Sequence, residues 1–447
     1  MKLKKRSMTL IAATALALLS AGCASKPDGG GEWKKFEKDE QAVLKVMYWD
    51  EQSFHEEYGN LFRSQYPNVE FEVIGLPVGS DPSLSVTELY NRYIDANKPD
   101  ILFVDKHRWL VEEGRLLELD PIIKQQQFDL DGYMPAVLSK LREEGDGKLY
   151  GLSPNFRSFG IYYNAEMFRK YGVEPPTDSM TWEEIFELAR RFPADGAEDE
   201  RIYGFSLDGF APPLADVLYS LMSQNKKILD SSGTAVGLDG DSWKRTFESI
   251  VSVVRSGAYY VPTPEETAKR TRFEEDDRFL MGKSAMTYRD HFYLRQVDNS
   301  SLDWAVVTAP VDARNRTQSS VYELGPAFVI SSQSANPRAA WEFVKYANSA
   351  EFAQIRSNAS SDFLFSRTEY IRSPSKRDIS ALYKLDPIAN ATDEFVAFEP
   401  RVRIDLVQLI ASELAAAGAG QKTLDEAIAA MREDGGALLV EAKAKMK

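Results

Sequence analysis

Cysteine is almost missing from this chain. Cys23 is the only one, so no intramolecular disulfide can form and stability has to come from a buried core. Histidine is scarce as well: His55, His107 and His291 are the only three and lie far apart, which argues against a metal centre of His and Cys ligands. Asp129-Leu130-Asp131-Gly132 and Asp239-Gly240-Asp241 look like fragments of calcium loops, but they lack the alternating ligands and closing glutamate and read as turns. No Gly-rich phosphate loop, Gly-x-Ser-x-Gly elbow or basic patch interleaved with aromatics occurs, which weighs against nucleotide, esterase and nucleic-acid chemistry. Long apolar runs are missing too. The run of apolar or small residues from Met8 to Leu19 is shorter than the about 20 residues a membrane span requires. Positive charge is in deficit, with 54 Lys and Arg against 68 Asp and Glu and a net charge of −14, so the body repels nucleic acid and anionic lipid headgroups.

What the N-terminus does have is a basic start, Lys2, Lys4, Lys5 and Arg6, followed by that short apolar run and by Ser20-Ala21-Gly22-Cys23. A basic start before a short apolar core is an export signal. Leu19-Ser20-Ala21-Gly22-Cys23 resembles the lipobox of bacterial lipoproteins, which implies that residues 1–22 are removed and that Cys23 carries a lipid anchoring the chain to the outer face of the cell membrane. Residues 23–42, with Pro27, Gly29, Gly30 and Gly31 and no apolar periodicity, read as a flexible tether.

From Ala42 the pattern becomes regular. Val43 to Trp49 and Val69 to Ile74 read as strands, Ser53 to Gln65 and Ser83 to Ala96 as helices, and Ile101 to Val104 as a buried strand ending at Asp105. Strand, helix, strand, helix, strand indicates an α/β fold with a parallel sheet, whose ligands sit beyond the carboxyl ends of the strands. The alternation resumes after Gly147, with strands expected at 157–163, 203–207, 284–288, 304–309 and 327–331. A helix should open at the capping box Thr181-Trp182-Glu183-Glu184, with others at 214–224, 242–255 and 337–347. With 447 residues and 43% hydrophobic content, the chain exceeds what one core supports, so two lobes are expected.

In this order, Lys98-Pro99-Asp100-Ile101, Gly114 to Asp120, Gly147 to Leu152, Ile161-Tyr162-Tyr163-Asn164 with Phe168, Pro175-Pro176 to Glu184, Phe279 to Met286 and Ala339 to Phe343 resemble the carbohydrate-type extracellular solute-binding proteins of ABC importers, the group of maltose-binding protein. The resemblance implies a two-lobed periplasmic-binding-protein-like fold, each lobe a mainly parallel sheet flanked by helices, with the ligand cleft at the hinge. The lobes fall at 43–154 with 309–365 and at 155–308 with 366–447. It also implies a monomer that needs no cofactor, holds a sugar, in particular an oligosaccharide, and hands it to a permease. Within the same fold, a polyamine or peptide is the alternative cargo.

Sugar recognition takes flat apolar surfaces for the ring and planar polar groups for the hydroxyls. Trp49 and Asp50 follow the first strand, and Asp105 ends the third, where it serves either a ligand or a helix N-cap. Asn155 and Arg157 lie at the expected first crossing between lobes, and Asp208 and Phe210 flank a glycine after a strand. Where relatives have a glycine and then a tryptophan, this chain has Tyr288 to Phe292, so Arg289, Asp290 and Phe292 become candidates. Tyr322 and Glu323 stand where relatives have a glycine-rich turn. Arg157 and Arg289 suggest a ligand carboxylate, as in a uronic-acid oligosaccharide. A secreted carbohydrate-active enzyme is the remaining alternative, but the carboxylates fall mostly on helix faces and in first turns, so no catalytic activity is expected.

Overall fold

The computed structural model describes residues 32–76, 85–196, 201–207, 214–224, 226–238, 240–262, 266, 277–359, 363–373, 375–388, 395, 398 and 400–445. Its strands are β1 (Ala42–Tyr48), β2 (Val69–Gly75), β3 (Ile101–Val104), β4 (Gly151–Leu152), β5 (Asn155–Arg157), β6 (Phe159–Asn164), β7 (Phe205–Ser206), β8 (Tyr259–Tyr260), β9 (Met286–Asp290), β10 (Trp304–Thr308), β11 (Gln318–Ser319), β12 (Glu323–Leu324), β13 (Ala327–Ile330), β14 (Leu364–Phe365) and β15 (Asp386–Pro387). Two five-stranded sheets dominate, ordered β2-β1-β3-β13-β4 and β10-β6-β9-β7-β8.

Three strands in each sheet run parallel, β2, β1 and β3 in one and β9, β7 and β8 in the other. The remaining two strands of each sheet are antiparallel to their neighbours. A strand fed from the other lobe, such as β13, enters without the helical crossover that a parallel partner requires. This is the two-lobed α/β architecture expected from the pattern, with the parallel part confined to the three strands that alternate with helices.

The strand β3 and its neighbour β13 are buried along their whole lengths, which is why both read as unbroken apolar runs. The first core gathers Tyr48, Phe54, Phe62, Phe103, Phe328 and Phe343. The second gathers Trp182, Phe186, Phe205, Phe247, Ile250 and Ile410. Helices cover both. Trp182–Ala189 opens with the expected capping box, in which the Thr181 hydroxyl accepts from the Glu184 N–H while Glu184 accepts from the Thr181 N–H. The helix expected over 53–65 is broken instead into Glu51–Phe54, a π-helical turn His55–Gly59, and Asn60–Gln65. A Cβ at Gly59 would come within 2.7 Å of His55 Nδ1, so glycine is needed for that wide turn to close on the ring.

Between the two large sheets lies a third, ordered β12-β5-β14. Each of its strands carries the chain from one lobe toward the other: β5 links β4 to β6, β12 links β10 to β13, and β14 leads from the helix Ala350–Ala359 toward the C-terminal helices. The chain thus crosses between lobes in three short strands that hydrogen-bond to one another.

Candidate functional site

Beside this junction a cavity of about 440 Å³ opens, and its walls come from four places in the sequence. The strand β5 supplies Arg157 and the start of β6 supplies Phe159; the end of β9 and the residues after it supply Tyr288, Arg289, Asp290, Phe292, Tyr293 and Gln296; the segment before β12 supplies Ser320 and Val321, and β12 itself Glu323. The fourth wall is one face of the helix Ala215–Ser223, where Asp216, Tyr219, Ser220 and Ser223 recur at the spacing of three, four and seven that stacks side chains on one side of a helix. Val217, Leu218 and Leu221 occupy the opposite face and are buried in the second core.

Arg157 is the centre of the polar network. Its Nη2 and Nε donate to the same Asp290 oxygen at 2.6 and 3.0 Å, and its Nη1 donates to Glu323 at 3.3 Å. Register explains the meeting, since Glu323 pairs with Arg157 across β12 and β5 and Asp290 pairs with Phe159 across β9 and β6. The guanidinium also lies 5.0 Å from the Phe159 ring centroid. Burial opposes the Arg157 charge, but Asp290, then Glu323 and Asp216, more than offset it, and its pKa is raised. Arg289 is held separately. Its Nη2 lies 3.2 Å from Asp277 Oδ2, which also accepts the Tyr293 hydroxyl at 2.9 Å. The other Asp277 oxygen accepts the N–H groups of Phe279 and Leu280.

Around these charges stand rigid groups. Tyr288 stacks on Phe159 at 5.3 Å with 17° between planes, and Trp182 Nε1 donates to Ser220 Oγ at 3.0 Å. The hydroxyls of Ser223 and Ser320 join two walls at 2.9 Å. Phe292, 52% exposed, stands at the rim with its N–H donating to Asp290. His291 beneath it is buried, and burial pushes its pKa down to about 4. Asp216 differs from the other acids. Among the described residues no hydrogen bond or ion pair reaches its carboxylate, and the surrounding protein raises its pKa, opposed by Arg289 and Arg157.

Of the candidates named from sequence, Arg157, Arg289, Asp290, Phe292 and Glu323 are brought together on this cavity. Tyr322 turns the other way: it is buried, meets Phe156 edge-on and donates to the Leu385 carbonyl at 2.7 Å. Asn155 lies next to the cavity strands without lining it, packed against Gly325 so closely that a Cβ there would overlap it. Trp49, Asp50 and Asp105 sit on the other lobe, at the carboxyl ends of β1 and β3. Trp49 is 45% exposed with its edge toward Phe103. Asp50 caps the helix Glu51–Phe54, accepting from the Ser53 N–H at 2.8 Å and its hydroxyl at 2.7 Å. Asp105 caps nothing, because the next helix, Arg108–Glu112, begins behind His107; burial raises its pKa against the pull of Lys106. Asp208, Phe210 and Cys23 lie outside the described residues.

Phe159, Asp216, Tyr219, Ser220, Ser223, Gln296 and Ser320 were not singled out from sequence. The polar stripe of the helix Ala215–Ser223 carried a readable signal, four polar residues on one face opposite an apolar one. Phe159 and Ser320 carried none, since only strand pairing brings them here.

Residues 89–378 match the model of a family described as bacterial extracellular solute-binding protein. A binding protein of Brucella abortus is 24% identical over 303 residues, covering 66% of this chain and 68% of its own. Among solved structures, a sugar transporter protein from Rhizobium etli in an open conformation superposes with a TM-score of 0.64 at 18% identity, covering 88% of this chain and 99% of that one. The sugar-binding protein MalE from Xanthomonas citri gives a TM-score of 0.63 at 14% identity over 91% of this chain and 99% of that one.

Proposed function

Because the chain belongs to the family of bacterial extracellular solute-binding proteins, we propose that it captures a sugar, in particular an oligosaccharide, between its lobes and delivers it to the permease of an ABC importer. The observation that carries this reading is the composition of the cavity. Arg157, Asp216, Asp290 and Glu323 offer planar hydrogen-bonding groups, and Tyr219 and Phe292 offer flat apolar faces, within one space of about 440 Å³. Sugar rings require both, hydroxyls satisfied by planar polar groups and C–H faces covered by aromatic ones.

In this reading β5, β12 and β14 form the hinge between a lobe of residues 43–154 with 309–365 and a lobe of 155–308 with 366–447. Closure about them brings Trp49, Asp50 and Asp105 over a ligand seated against Arg157 and Asp290, the type of motion by which two lobes sequester a solute. The family is extracellular, so the protein works outside the cytoplasm. We further propose that Cys23 carries a lipid, that the segment joining it to the body serves as the tether, that the body is monomeric and that it binds without catalysis. The tether expected over 23–42 is shorter than the sequence pattern suggested, because Phe36 is buried in the first core and Arg338 bonds Glu40 and the Lys35 carbonyl. In support of binding without catalysis, Asp290 and Glu323 are tied to Arg157, which leaves neither as a free acid–base pair.

The test is a thermal-shift screen of the soluble body from Glu32 onward against mono- and oligosaccharides, with polyamines and peptides as controls. Ligand at about 100 times its dissociation constant stabilises by roughly 2.7 kcal/mol, a visible rise in melting temperature. A shift with one sugar class and no turnover of it supports the proposal. A shift with a control ligand alone replaces the sugar by that solute.

A further inference from the structure

The charges of the described residues that line the cavity do not balance, and the excess is negative. On the described wall two guanidiniums, Arg157 and Arg289, face three carboxylates, Asp216, Asp290 and Glu323; behind the wall stand Asp277 at Arg289 and Arg403 near Tyr219. Each guanidinium already has carboxylate partners from the chain itself, Arg157 with Asp290 and Glu323, and Arg289 with Asp277. A ligand carboxylate would have to compete with Asp290 for Arg157 or with Asp277 for Arg289, both largely buried acids that would be left unpaired, whereas the exposed Glu323 is the weaker partner. The carboxylate left over is Asp216, on the polar face of the helix Ala215–Ser223.

An ionised carboxylate is acceptor only, so the group that completes this wall must be a donor, and a charged donor forms the stronger hydrogen bond. The aromatic faces at the same wall, Tyr219 and Phe292, are neutral surfaces that attract a cation through the ring quadrupole as well as covering a sugar ring. We propose that the cavity is selective for a sugar bearing a protonated amino group, whose ammonium is held by Asp216 within a site of net negative charge. This rests on the sugar-binding reading and names the class of sugar. It runs opposite to what the two arginines suggest by themselves, because their charge is spent inside the wall.

The experiment is calorimetric titration of the soluble protein at neutral pH with three matched probes of one length: oligomers of glucosamine, the same oligomers N-acetylated, and glucuronic-acid oligomers, with spermidine alongside. The amino form is expected to bind at least about tenfold more tightly than the acetylated form, the scale of a charged hydrogen bond gained, and to lose that advantage in high salt. Asp216→Asn, which keeps shape and an acceptor but removes the charge, should bring the two affinities together, whereas Asp216→Glu should keep them apart. Equal affinities in the wild type, or tightest binding of the acidic form, overturn the proposal and leave the sugar reading standing. An amine preference that survives Asp216→Asn overturns the role of Asp216. Binding of spermidine with silence from the three sugars overturns the amino-sugar proposal in favour of a polyamine, and silence from all four probes overturns the amino-sugar proposal and leaves the sugar reading to the wider screen.

Discussion

Acid should destabilise this protein through His291, and the size of the effect follows from where that ring sits. The residue is buried at the floor of the cavity rim, its backbone N–H donates to the Ser158 carbonyl at 2.9 Å, and its Nδ1 meets no partner among the described residues. Burial lowers its pKa to about 4, with Asp290 pulling up and Arg157 pushing down, against an ordinary value of 6.5. The folded state therefore resists a proton that the unfolded chain accepts. Above pH 6.5 neither state is protonated and the residue contributes nothing; as pH falls from 6.5 to 4 stability is lost, and below about 4 the loss levels off. A difference of that size corresponds to about 3 kcal/mol. Urea midpoints of the wild type and of His291→Gln, measured from pH 7.5 to 3.5, should therefore diverge at neutral pH by a constant packing difference and converge or cross in acid as the wild type loses about 3 kcal/mol more. Two curves that stay parallel across this range would refute the reasoning, because they would mean that the ring titrates alike in both states.

Other outcomes follow from single positions. Trp182→Ala removes a fully buried indole and its bond to Ser220, and should lower the urea-derived stability by about 3–5 kcal/mol, with weaker ligand binding through the loosened Ser220 wall. Gly204→Ala should cost about 1–3 kcal/mol in the same assay, because a Cβ there overlaps the Ala189 carbonyl at the end of the helix Trp182–Ala189, a backbone atom that cannot swing aside. Trp49 is the tryptophan that stands 45% exposed at the edge of the first lobe, so its emission should change when ligand closes the lobes. In Trp49→Phe that fluorescence change should largely vanish while calorimetry still records binding; an unchanged signal would place the closing surface elsewhere.

Periodicity was enough to reveal the α/β class, the two cores and most elements, because burial on one or both faces of a strand or helix writes itself directly into the spacing of apolar residues. Ile101 to Val104 and Ala327 to Ile330 read as buried strands because they are buried on both faces, and Thr181 to Glu184 reads as a helix start because a capping box is local chemistry. The π turn at His55–Gly59 was not legible, since it depends on how one ring packs against one glycine.

The site was legible in half. Arg157, Arg289, Asp290, Phe292 and Glu323 were marked by position, at a strand end or a crossing, where any α/β fold exposes side chains to ligand. Tyr322 was marked by the same logic and is buried, because alternation along a strand puts adjacent residues on opposite faces and Glu323 takes the open one. What the sequence by itself determined was the kind of molecule: an acidic, cysteine-poor α/β chain large enough for two lobes, each conclusion resting on composition or local spacing. What only the tertiary structure decided was which charges remain free. Arg157 meets Asp290 and Glu323 across separations of more than a hundred residues through strand register, and Arg289 meets Asp277 in the turn before its strand, so two arginines that look ready for an anion are paired and, among the described residues of the wall, Asp216 is left as the acceptor.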